Sequence, residues 1–82
     1  MATASELFQR KTEMQPHQQR VLEEKTELDL KIKRLTAFTA SESFESMVEG
    51  DEQRRMLRQL VAMRDYSRIL GERIASFGVD RG

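Results

Sequence analysis

Residues 51–77, DEQRRMLRQLVAMRDYSRILGERIASF, contain the pattern that decides the fold. Positions mostly held by apolar side chains recur at alternating spacings of four and three, an interval that places them on one stripe of an α-helix. The members of this stripe are Met56, Leu60, Met63, Ser67, Leu70, Ile74 and Phe77. The segment is therefore predicted to form a long helix with one apolar side, ended by Gly78.

The same spacing occurs upstream, in residues 21–39. The stripe positions there are Val21, Lys25, Leu28, Ile32, Leu35 and Thr39. Pro16 suits the first turn of this helix, where its missing N–H costs nothing. Glu27 stands four residues before Lys31, a spacing that favours an ion pair on the helix surface. We predict a second long helix, in which Lys25 occupies a position that calls for an apolar residue.

Residues 39–50, TASESFESMVEG, interrupt the pattern and predict a short helical connector. Thr39 and Glu42 have the spacing of a capping box, which would begin this connector helix. Gly50 suits a left-handed helix stop, and Asp51 is then the expected N-cap of the following helix.

Two apolar stripes of similar length, joined by a short connector, predict an all-α antiparallel helical hairpin. We expect a hairpin domain over residues 16–77, a short N-terminal helical or flexible segment over 1–15 and a C-terminal tail over 78–82. A chain of 82 residues buries a thin core, and both stripes are wider than a two-helix seam. The sequence therefore predicts a homo-oligomer, from a four-helix dimer to a hexameric ring of hairpins.

Composition argues against several classes of function. The 14 basic and 14 acidic residues balance, which argues against bulk nucleic acid or anionic lipid as the main partner. Cysteine is absent, and the single histidine, His17, has no nucleophile that the hairpin would bring close. We expect no catalytic site, no metal site and no cofactor. No apolar stretch approaches the roughly 20 residues of a membrane span, so we expect a cytoplasmic protein without a membrane partner.

One polar patch is predicted at the open end of the hairpin. Folding residue 38 back near residue 52 brings Lys25 close to Asp65 and Tyr66, on the assumption of equal rise along both helices. The candidate ligand-binding residues are His17, Gln18, Arg20, Glu24, Lys25, Tyr66 and Arg73. Cations would meet phosphate, and the tyrosine ring would stack on a base. The alternative is that Lys25 pairs with Asp65 and sets the register of the hairpin, as single polar core residues do in coiled coils.

The sequence resembles a group of small phage and prophage helical-hairpin proteins over roughly residues 16–77. The resemblance is carried by PHQQRV at 16–21, the Glu24–Lys25 pair, Phe38, and the spaced Gln59, Met63, Tyr66, Leu70, Arg73 and Ile74. More distantly, the chain is similar in size and layout to phage anti-CBASS and anti-Thoeris "sponge" proteins. Those proteins assemble into oligomers and hold cyclic nucleotides or cyclic ADP-ribose-like immune signals between protomers.

The resemblance implies an anti-defence protein that sequesters a nucleotide-type signal in the infected bacterial host cell, without catalysis. A structural or protein-interaction coiled-coil adaptor of a phage is the alternative from another class. A third hypothesis is a nucleic-acid accessory protein that uses Arg54, Arg55 and Arg58, although such a cluster is more often a solvated helix face.

Overall fold

The computed structural model describes residues 14–77, and these residues form three α-helices and no strand. Helix α1 spans Pro16–Thr39, the short helix α2 spans Glu42–Met47, and helix α3 spans Gly50–Ala75. Two long helices with a short helix between them confirm the predicted all-α class. The helix proposed within residues 1–15 and the tail at 78–82 lie outside the described residues, apart from Met14 and Gln15.

Helix α1 begins where the sequence predicts it. Pro16 lies in the first turn, where no backbone hydrogen bond from its nitrogen is needed. The backbone N–H of Gln15 donates to Oε1 of Gln18 over 3.0 Å, and the N–H of Gln18 donates back to the carbonyl of Gln15 over 2.9 Å. These reciprocal bonds satisfy groups that a helix terminus otherwise leaves unpaired. The polar residues after Pro16 thus serve partly to start the helix.

The predicted cap of the connector helix is wrong. Thr39 is the last residue of α1, and its hydroxyl donates to the carbonyl of Thr36. The N-cap of α2 is instead Ser41, whose extended backbone turns the chain out of α1. Capping-box spacing favoured the wrong position, because Thr39 has Glu42 three residues later whereas Ser41 has Phe44 there.

The predicted stop at Gly50 is also wrong. Gly50 is the first residue of α3, and its backbone does not adopt the left-handed conformation. The chain leaves α2 through an extended Val48 (φ −114°, ψ 129°), so no left-handed residue is needed. Glu49, and not Asp51, is the N-cap of α3, because its carboxylate accepts the N–H of Glu52 over 3.1 Å.

Apolar side chains hold the hairpin together. The buried cluster consists of Val21, Leu28 and Leu70, with Ile32, Met63, Ile74 and Phe77 packed against it. Leu70 is completely buried, at 0% exposure. The ion pairs within residues 14–77 all join side chains three or four positions apart on one helix, and the expected Glu27–Lys31 pair is not among them. The ion pairs therefore join residues of the same helix, whereas buried apolar side chains form the core between the two long helices.

The register of the hairpin differs from the equal-rise expectation. The first turns of α3 run beside α2, where Nε2 of Gln53 donates to the carbonyls of Phe44 over 3.3 Å and Val48 over 2.7 Å. Helix α3 therefore begins beyond the end of α1. As a result Lys25 faces Ser67 and Gly71, a displacement of about one helical turn from the predicted position.

Candidate functional site

A polar cluster crosses the apolar seam at Lys25. Its ammonium donates to Oδ2 of Asp29 over 2.7 Å and to Oγ of Ser67 over 3.0 Å, and the Ser67 hydroxyl donates to Oδ1 of Asp29. Ser67 is 8% exposed and is the buried polar residue of the stripe on α3. The buried Ser67 hydroxyl is thus fully paired, as a buried polar group requires, whereas its partners Lys25 and Asp29 remain partly open to solvent at 30% and 47% side-chain exposure.

This cluster perturbs the carboxyl of Asp29. The hydrogen bond from Lys25 is the main reason that the pKa of Asp29 lies below its ordinary value of 3.8, and the bond from Ser67 acts in the same direction. Partial burial opposes both, because it disfavours the charged form. The cluster therefore favours the ionised form of Asp29, which pairs with the Lys25 ammonium.

The predicted pairing of Lys25 with Asp65 is wrong. Asp65 is paired with Arg68 one turn along α3, and Lys25 is paired with Asp29 and Ser67. The physical role expected in that interpretation, a polar contact across the hairpin at one stripe position, is nevertheless present with Ser67 as the partner. The aliphatic stem of Lys25 also lies against Gly71, where an added Cβ would stand 3.4 Å from Cε of the lysine.

The other predicted ligand residues lie in the N-terminal half of α1 and the C-terminal half of α3. His17, Arg20 and Glu24 are exposed on α1, and Arg73 is exposed in the last turn of α3. Tyr66 is 43% exposed, and Gln18 is half-buried and bonded to the backbone of Gln15. Five residues separate Arg20 from Lys25, so their side chains leave α1 about 140° apart. A shared ligand site for these residues stays a prediction.

A groove on the surface between α1 and α3 was missed by the sequence-based prediction. It has a volume of about 360 Å³ and is lined by Lys31, Arg34, Leu35, Phe38, Gln59 and Met63. The sequence pattern assigned Leu35 and Met63 to the apolar stripe and the two cations to a solvated face. A signal was available, because Lys31, Arg34 and Phe38 recur at spacings of three and four on one side of α1. We call this feature the α1–α3 groove.

The arginine cluster at the start of α3 forms a smaller pocket of about 250 Å³. Arg54 is paired with Asp51 and Arg55 with Glu52, whereas Arg58 completes the pocket wall. Two of the three cations are thus already neutralised by carboxylates on the same helix. This arrangement is typical of a solvated helix face and adds nothing to the nucleic-acid hypothesis.

The described part of the chain contains neither a cluster of metal ligands nor a membrane-spanning helix. Within residues 14–77, no three His, Cys, Asp or Glu side chains are arranged so that they could hold a metal ion. Neither long helix in that range combines the length and the apolarity that a membrane crossing requires.

Comparison with known proteins points to one family. No curated protein and no solved structure matches the chain. The Sequestin family model matches residues 15–76, a range that contains both long helices and the connector. Sequestin is the family of anti-CBASS and anti-Thoeris sponges, in agreement with the resemblance found in the sequence. The chain therefore belongs to the Sequestin family.

Proposed function

We propose that this protein binds and sequesters a cyclic nucleotide or a cyclic ADP-ribose-like immune signal and leaves it chemically unchanged. The observation that carries the proposal is the family match over residues 15–76, which covers the whole hairpin. The family acts as anti-defence sponges rather than as enzymes. The proposed place of action is the cytoplasm of the infected bacterial cell.

The proposal includes assembly into a homo-oligomer, from a dimer to a hexamer. Three apolar side chains on α3 support it, because Val61 is 66% exposed and Leu57 and Ile69 are also exposed in the single chain. The two-helix core leaves such residues in water, and a second copy is the simplest partner that would cover them. Light scattering coupled to size-exclusion chromatography measures the copy number directly.

For the ligand contacts we propose that Arg20 and Arg73 bind phosphate and that Tyr66 stacks on a base. Arg20 and Arg73 are exposed, and guanidinium groups bind phosphate in a bidentate manner. Lys25 would join them by exchanging Asp29 for a phosphate oxygen as its acceptor. This exchange keeps its ammonium paired in both states, as a partly buried charge requires.

The proposal is tested by calorimetric titration of the purified protein with cyclic di- and trinucleotides and cyclic ADP-ribose derivatives. We expect tight binding of one ligand class and a raised melting temperature in its presence. After heat denaturation, chromatography of the supernatant should return the ligand intact. A hydrolysed ligand would overturn sequestration without catalysis, and the absence of binding across all three classes would overturn the proposed function.

The substitution Lys25→Met distinguishes two roles for Lys25, a phosphate contact and a residue that sets the register of the hairpin. A phosphate contact predicts a variant with unchanged helicity and copy number that has lost ligand affinity. A register device predicts altered copy number or altered pairing of the helices. The matched control is Lys33→Met, because Lys33 is an exposed lysine on the same helix with no ion pair within residues 14–77.

A protein-interaction role is the second candidate. It is favoured by Met47 at the connector, which is 76% exposed, since flexible methionines adapt to varied partner surfaces. Affinity capture from infected cells distinguishes the two functions. A stoichiometric phage or host protein, lost on Met47→Ser, would support the adaptor over the sponge.

A further inference from the structure

The α1–α3 groove is unused by the proposed ligand contacts at Arg20, Tyr66 and Arg73. Its floor consists of the half-buried side chains of Leu35, Phe38 and Met63. Ligand pockets have volumes of about 300–1,000 Å³. At about 360 Å³, the groove is near the low end of this range, a size that suits one nucleotide unit rather than a whole cyclic dinucleotide.

The aromatic part of the floor is held in place by the connector. The ring of Phe38 meets the ring of Phe44 edge to face, with centroids 5.8 Å apart and an interplanar angle of 82°. Phe44 is itself buried, and its carbonyl accepts a hydrogen bond from Gln53. A ligand that stacks on Phe38 would therefore meet a ring whose orientation is already restricted, which lowers the entropic cost of binding.

The rim of the groove carries two cations that have no carboxylate partner among residues 14–77. Lys31 and Arg34 take part in none of the ion pairs within residues 14–77, although Arg54, Arg55 and Arg68 on α3 are all paired. Residues three apart on a helix are neighbours, about 5–6 Å apart at Cβ. Lys31 and Arg34 can therefore close on the same anion from two sides.

We propose that the α1–α3 groove is a binding site for one nucleotide unit, with the base on Phe38 and Met63 and the phosphate between Lys31 and Arg34. The amide of Gln59 lines the same groove, and although its Nε2 donates to Sδ of Met63 over 3.7 Å, its second N–H and its oxygen remain for the edge of the base. This inference rests on the proposed function for its ligand class. It adds a second contact region, separate from the predicted patch around Arg20 and Arg73.

The two regions are far enough apart to be distinguished. Arg20 and Lys31 are separated by eleven residues of α1, which corresponds to about 16 Å along the helix axis. The test uses ¹⁵N-labelled full-length protein titrated with adenosine monophosphate, which supplies one base and one phosphate. We expect backbone amide shifts at residues 31–38 and 59–63, with unlabelled adenosine giving a much weaker response.

Three variants separate a specific site from general cation attraction. Lys31→Gln and Arg34→Gln should each weaken adenosine monophosphate binding about tenfold, as the loss of a charged hydrogen bond predicts. Both side chains are exposed, so the fold should be unchanged. Lys33→Gln is the matched control, because residue 33 leaves α1 about 160° from residue 31 and should have no effect.

Several outcomes would overturn the inference. One is amide shifts confined to residues 17–25 and 66–73, and another is equal weakening by all three variants. Amide shifts at the groove that grow with protein concentration alone, without ligand, would show that a second copy covers it. The proposed function survives each of these results, because binding of a cyclic signal elsewhere on the protein is measured independently by calorimetry.

Discussion

Replacement of Leu70 by alanine tests whether the small cluster around it is the main source of stability. Leu70 is the only completely buried side chain in residues 14–77, and Val21 and Leu28 are the other buried members of its cluster. Truncation of a fully buried leucine costs about 3–5 kcal/mol, because the cavity is only partly refilled. At about 0.05–0.15 kcal/mol per residue, a chain of this size has about 4–12 kcal/mol in total. Leu70→Ala should therefore remove a large part of the stability.

The measurement is urea unfolding followed by circular dichroism at 222 nm and analysed by linear extrapolation. Leu30→Ala is the matched control, because it deletes the same atoms from an exposed residue of α1. Its expected cost is within about 1 kcal/mol, as for most surface substitutions. Each variant is measured at several protein concentrations, because association would make the midpoint concentration-dependent. A cost below about 2 kcal/mol for Leu70→Ala, or equal costs for both variants at high dilution, would refute the assignment of stability to this cluster.

Three further predictions concern the connector, the polar cluster and the start of α3. Gln53→Ala removes the donor to two connector carbonyls and should lower the free energy of unfolding by about 1–2 kcal/mol in the same urea assay. A decrease of less than about 0.5 kcal/mol would show that water satisfies those carbonyls instead. The folded-state pKa of Asp29 lies below its ordinary value of 3.8. The stability that its ionised carboxyl contributes is therefore complete above pH 3.8 and is lost as the pH falls through the folded-state pKa. Melting temperatures from about pH 7 to about pH 2 should therefore fall less steeply for Asp29→Asn than for the wild type, and parallel curves would contradict the role of this carboxyl. Gly50→Ala should stabilise the protein by about 0.4–1 kcal/mol, because residue 50 is helical and an added Cβ would meet no neighbouring atom. A loss of stability would instead indicate that Gly50 has the left-handed backbone of a helix stop.

The long helices could be predicted from the sequence because their determinants are local. The four-three spacing of apolar residues in 51–77 and 21–39 requires only helical geometry to place those residues on one face. Pro16 likewise restricts its own backbone wherever it occurs. The caps were less predictable, since Thr39 competes with Ser41 for the start of α2 and Asp51 competes with Glu49 for the start of α3. Which of them caps a helix depends on the path of the chain between the helices.

The candidate site was predicted only in part. Lys25 was correctly identified as an unusual stripe residue, but its partners Asp29 and Ser67 were not. The α1–α3 groove was missed because its residues belong to two pattern classes, an apolar stripe and a charged face. A pocket arises where those classes meet across two helices, and no single helix pattern contains that information.

The sequence by itself determined the two long helices, the apolar side of each and the position of the polar interruption at Lys25. Only the tertiary structure decided the register, and with it the contact of Lys25 with Ser67 in place of Asp65. The physical reason is that a heptad-like stripe can pack in several registers with similar burial. The choice among them is made by Phe44 and Gln53, which place the first turns of α3 beside the connector.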